Sequence, residues 1–91
     1  MPETSPRPVL VVYTKPACPL CEEALDVVRE AQAMVPFACE ERNILSDPAW
    51  YERWKHAIPA GYLGEREVFR FRTDAASLVR ALEAGPTDET S

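Results

Sequence analysis

The stretch that most constrains this chain is Val9-Leu10-Val11-Val12-Tyr13. Apolar character here is continuous and largely β-branched rather than alternating. That pattern reads as a β-strand covered on both faces. Such a strand needs a layer above it and a layer below it. The 91 residues allow one domain with those layers and no second one. A chain this short buries only about 60–65% of its unfolded surface, so the core is thin. The 46% hydrophobic and 27% charged content is ordinary for a globular domain and excludes collagen, a coiled-coil rod and wholesale disorder.

The remaining elements follow from punctuation and periodicity. Thr14 to Ala17 is a loop broken by Pro16. A helix is expected from Pro19 to Met34, with proline in the first turn, where its missing N–H has no partner to lose. Glu22 and Glu23 suit the positive end of its dipole. Ala24, Leu25, Val28, Ala31 and Val35 recur at helical spacing and mark its core face. Pro36 ends it. Phe37 to Ile44 is a second strand, poor in apolar residues and so expected near a sheet edge. Asp47-Pro48 starts a second helix that runs to about Lys55. Tyr62-Leu63, Gly64-Glu65 and Val68 to Phe71 read as a hairpin. Thr73 or Asp74 caps a last helix ending at Ala84, and Gly85-Pro86 stops it. The order β-α-β-α-β-β-α makes an α/β fold: one mixed four-stranded sheet, first two strands parallel, helices on both faces. The domain spans 8–85, with flexible tails expected at 1–7 and 86–91.

Charge limits the partners. Fifteen acids against ten bases give a net −5, and no Lys/Arg cluster stands out. Arg66, Arg70 and Arg72 come nearest, balanced by Glu65 and Glu67. Nucleic acid and anionic membrane surfaces are therefore not expected partners. No apolar run approaches a membrane span, and the first residues lack an apolar stretch fit for a signal peptide. A cytoplasmic location is expected, where three cysteines do not form a structural disulfide framework.

Two of those cysteines carry the chemistry. Cys18-Pro19-Leu20-Cys21 follows a buried strand and opens a helix. Cys18 at the first turn faces unpaired backbone N–H groups and the positive dipole end. Thiol pKa values at such places fall from about 8.5 to roughly 3.5–7.5, which makes Cys18 the expected nucleophile. Lys15, three residues ahead, adds positive charge. Cys21 lies three residues on, on the same helix face, at a spacing that suits a disulfide. Deeper and less ionised, it fits a resolving thiol. A zinc site built from Cys18, Cys21, Cys39 and His56 competes in number and type of ligand. Structural zinc sites usually use two tight pairs, however, and only one is present. A redox sensor or interaction domain that switches without turnover is a further alternative.

The run Tyr13-Thr14-Lys15-Pro16-Ala17-Cys18-Pro19-Leu20-Cys21-Glu22-Glu23-Ala24, with an Ile58-Pro59 loop before a hairpin, resembles the glutaredoxin branch of the thioredoxin fold. It is similar in particular to small bacterial glutaredoxin-like proteins with a C-P-L-C motif. The likeness covers about residues 8–84. It implies a cis bond between Ile58 and Pro59, with that proline facing the dithiol and the residue before it pairing with the substrate backbone. It implies dithiol exchange with disulfide-bearing protein substrates, and return of electrons by glutathione or a thioredoxin reductase. Leu20 stands where many relatives carry Tyr. Arg72-Thr73-Asp74 stands where they have Gly-Gly and an acidic pair that holds glutathione.

The expectation is thus a small, monomeric, glutaredoxin-like thiol–disulfide oxidoreductase. Cys18 and Cys21 react, Lys15 assists, and Ile58, Pro59, Tyr13 and Leu20 line the substrate side. This chemistry needs no metal or organic cofactor. Cys39 reads as a small buried hydrophobe and His56 as a solvated residue near a helix C-terminus. Trp50 and Trp54, one turn apart, read as the packing face of the second helix. Gly61 interrupts an apolar strand without a reason visible in the sequence.

Overall fold

The computed structural model describes residues 9–84. The elements run β1 (Val9–Thr14), α1 (Pro19–Met34), β2 (Ala38–Asn43), a single 3-10 turn (Ile44–Ser46), α2 (Pro48–Trp54), β3 (Ala60–Leu63), β4 (Arg66–Arg70) and α3 (Ala75–Ala84). They form one four-stranded sheet in the order β2-β1-β3-β4. β1 and β2 are parallel, with Val9 opposite Ala38 and Thr14 opposite Asn43. β3 runs antiparallel to β1, and β4 antiparallel to β3. The expected tails and the Gly85-Pro86 stop lie outside the described residues.

Alternation along β1 splits the interior into two cores. Leu10 and Val12 face one side, packed with Ala24, Val28 and Ala31 of α1 and Leu78 and Leu82 of α3. Tyr13 faces the other, with Ile44, Trp54, Ile58 and Ala60, and Val11 packs at its edge. The buried Thr14 hydroxyl donates to Glu41 Oε2 at 3.0 Å, so the end of β1 leaves this polar group partnered.

The second face of β1 is only half covered, against expectation. Val9 is 45% exposed and Val11 half-buried. The reason is length: α2 has seven residues and roofs one end of the strand. Beyond it lies an open concavity of about 730 Å³, lined among others by Val9, Val11, Trp54 and Tyr62.

Other boundaries shift for local reasons. β2 is an edge strand and starts after Phe37, which is buried against the first core instead. Ile44 leaves the strand because the Asn43 side chain accepts the Leu45 N–H at 2.8 Å and caps a 3-10 turn. β3 begins at Ala60 rather than Tyr62, since Ala60 and Gly61 pair with Tyr13 and Val12. β4 stops at Arg70, one residue before the expected end, because the chain turns sharply at Phe71. Asp74 is the residue that caps α3, accepting the Ser77 N–H at 2.8 Å.

Gly61 now has a physical account. A Cβ there would overlap the ring of Phe69, which lies across the bare backbone from the neighbouring strand. The pairing slips between Gly61 and Tyr62, forming an irregularity of the kind that accompanies a bulge.

Candidate active site

The dithiol sits where β1 hands over to α1. Thr14 ends the strand and Pro16-Ala17 makes the turn, with Ala17 at φ 57°, the left-handed region that L residues seldom occupy. The turn delivers Cys18 as the N-cap of α1, in an extended conformation. Its carbonyl accepts the first helical hydrogen bond from Glu22 N–H at 3.0 Å. Its Sγ accepts from the Cys21 N–H at 3.2 Å. A thiol sulfur thereby does what a serine or aspartate oxygen does in an ordinary N-cap. Pro19 follows without an N–H, so the amide directed at sulfur comes from Cys21.

Exposure separates the two thiols. Cys18 is partly exposed and Cys21 is 2% exposed. Burial pushes the Cys21 thiol up from 9.0 to about 12, with its hydrogen bond to the Cys18 side chain and the Cys18 charge adding to the rise. A backbone hydrogen bond from Lys15 and the Lys15 charge oppose it. The Lys15 side chain is exposed.

The other expected residues divide by depth. The Ile58–Pro59 bond is cis, and both residues are buried. Ile58 shares the second core with Tyr13 and Cys21, and Cys18 packs against that cluster. The Pro59 carbonyl accepts the Phe71 N–H at 2.6 Å. Leu20 is half-buried. Tyr13 lies in the floor: it is 7% exposed, stacked on Trp54 with centroids 3.7 Å apart, and edge-on to Trp50 and Tyr62 at 5.9 Å each. Arg42, a residue that sequence reasoning missed, donates to the Tyr13 hydroxyl at 3.0 Å and lies over the Tyr13 and Trp50 rings. Its only sequence signal is a lone cation on an edge strand.

Cys39 lies on the opposite side of the sheet, half-buried against the first core. Burial, with Glu41 adding to the effect, raises its thiol above the ordinary value. His56 is exposed after α2. Among the described residues no three His, Cys, Asp or Glu side chains converge where they could hold a metal ion. The four-ligand site of Cys18, Cys21, Cys39 and His56 is therefore not assembled.

Comparison with known proteins agrees with this architecture. Residues 9–83 match the family described as Glutaredoxin-like domain (DUF836). A relative from Dictyostelium discoideum, the glutaredoxin-like protein YDR286C homolog, is 27% identical over 77 residues, covering 78% of this chain and 71% of its own. The X-ray structure of protein XcR50 from X. campestris superposes with a TM-score of 0.65 at 28% identity, covering 85% of this chain and 99% of that one. Protein Ne2328 from Nitrosomonas europaea gives 0.71 at 24% identity, over 89% and 98%. Thioredoxin 1 from Thermosipho africanus gives 0.56 at 14% identity, over 82% and 94%, which shows the shared fold alone. The four-stranded mixed sheet, its helices and the half-exposed dithiol at the head of α1 sit in a thioredoxin-like fold, and the chain belongs to the glutaredoxin-like domain family.

Proposed function

We propose that the protein is a thiol–disulfide oxidoreductase that reduces protein or small-molecule disulfides by exchange at Cys18 and Cys21. The observation that carries this is the asymmetry of the pair. Cys18 is open to a substrate and its sulfur accepts an amide hydrogen bond, while Cys21 is enclosed directly behind it.

The Cys18 thiolate attacks one sulfur of the substrate disulfide. A Cys18–substrate bond forms, and the other substrate sulfur leaves as a thiolate that takes a proton from water. Once Cys18 is in the mixed disulfide, its charge no longer holds up the Cys21 pKa, whereas the opposing influence of Lys15 remains. Cys21 then loses its proton more readily, attacks Cys18 Sγ and expels the second substrate thiolate. The substrate gains two electrons and the protein retains a Cys18–Cys21 disulfide. Glutathione or a thioredoxin reductase returns those electrons.

The test is a redox titration against a graded dithiothreitol ladder, read by alkylation and mass spectrometry. A reversible two-electron couple linking Cys18 and Cys21, at roughly −180 to −280 mV, is expected. Absence of that disulfide at every poise overturns the proposal. Cys18→Ser should abolish reduction, and Cys21→Ser should accumulate the mixed disulfide.

A further inference from the structure

Phe71 breaks two local rules at once. Its φ is 72°, in the left-handed region, where a bulky side chain is a genuine outlier. Arg72 N–H donates to Arg70 C=O at 2.8 Å, closing a γ-turn over Phe71 of the rare positive-φ hand. Glycine makes such a turn without steric conflict. Phe71 instead places an aromatic ring there, and 43% of the residue stays exposed. Neither buried core contains it. Strained residues of this kind cluster at sites that contact ligands.

The turn lies beside the dithiol. The Phe71 N–H donates to the Pro59 carbonyl at 2.6 Å, and Pro59 follows Ile58, which packs in the same cluster as Cys21 and Cys18. On the other side Arg72 pairs with Glu23, two residues past Cys21, at 3.5 Å. Phe71 and Ala24 line a small hollow of about 130 Å³ between this turn and α1. An exposed apolar ring is therefore tethered to the Pro59 loop and to the helix turn that follows the cysteines.

We propose that Phe71 is a specificity-determining residue whose ring meets an apolar side chain adjoining the cysteine of a polypeptide disulfide, so that peptide disulfides with apolar flanks are favoured over small polar ones. This rests on the exchange reaction proposed above. The electron balance is unchanged: the peptide disulfide is reduced to two thiols as Cys18 and Cys21 are oxidised to a disulfide.

The experiment uses pre-reduced full-length protein in single turnover, acid-quenched and read by mass. The probes are a cyclic decapeptide disulfide with Leu beside each cysteine, the same peptide with Ser there, and bis(2-hydroxyethyl) disulfide. Phe71→Gly suits the turn and should fold. It is expected to lower the preference for the Leu peptide over both other probes by about tenfold, through the half-saturating concentration rather than the limiting rate. Phe71→Tyr should restore most of that preference. An unchanged preference ratio in Phe71→Gly, whether all three rates fall together or none does, overturns the inference. Wild-type protein that oxidises with none of the probes removes the exchange reading itself, a result distinct from a lost preference.

Discussion

Cys21 lies beneath the more exposed Cys18, and its own burial shifts its titration. Burial pushes its thiol up from an ordinary 9.0 to about 12 in the folded chain. The neutral form is thus the one that folding favours. Below pH 9 both states hold the proton and the stabilisation is complete. Above it the unfolded chain has released the proton while the folded chain has not, so stability falls as pH rises towards 12. Comparing reduced wild type with Cys21→Ala cancels the common lysine and tyrosine titrations. In urea unfolding from pH 7 to 10.5, wild-type stability relative to the variant should decline above pH 9, with a limiting slope of about 1.4 kcal/mol per pH unit. A difference that stays flat to pH 10.5 would remove burial as the cause. At this same scale the helix-opening C-x-x-C marks the place of both thiols, whereas the hydrogen bond between the Lys15 backbone and Cys21 depends on the turn at Pro16-Ala17, which the motif does not encode. Phe71 read as a plain alternating strand residue, because nothing local announces a positive φ.

Elements were legible where one periodicity dominates. α1 matches its expected limits because Pro19 opens it, Pro36 follows it and four of its residues are buried at helical spacing. The Gly64-Glu65 turn was equally plain, with Gly64 at φ 63°. Pairwise facts between elements were not. Gly61 is apolar-neutral in a strand pattern, and its reason is a Phe69 ring from the strand beside it. That reason carries a prediction. Gly61→Ala forces the new methyl into the ring, so Phe69 must leave its place or the strands must part. Overpacking of this sort costs about 1–3 kcal/mol, and thermal unfolding should shift down accordingly. The double variant Gly61→Ala with Phe69→Leu should recover part of the loss, since a smaller side chain vacates the contact. A single Gly61→Ala protein as stable as wild type would show that the ring does not need the bare backbone.

At the scale of the whole molecule, the sheet separates two cores, and only one of them holds the C-x-x-C pair. The first core joins α1 and α3 and contains neither cysteine of the C-x-x-C pair, whereas the second holds Cys21, Ile58 and Trp54 together and extends to Cys18. A continuous apolar β1 predicted two covered faces, but the coverage depends on α2 being only seven residues long, which hydrophobic patterning alone does not weigh. Trp54 is a buried member of the second core, stacked on Tyr13 and edge-on to Tyr62 at 6.0 Å. Leu78, 1% exposed, is a comparable member of the first. Trp54→Ala and Leu78→Ala should each cost several kcal/mol, about 3–5 and 2–5 respectively. Their effects on the site should differ. Local opening reports the contacts of its own region rather than the global total. In a Cys18→Ser background, alkylation of Cys21 under native conditions should accelerate more in Trp54→Ala than in a Leu78→Ala protein of matched global stability. Equal acceleration in the two would mean that the sheet opens as one unit, and that the dithiol is protected by the whole fold rather than by the aromatic layer beneath it.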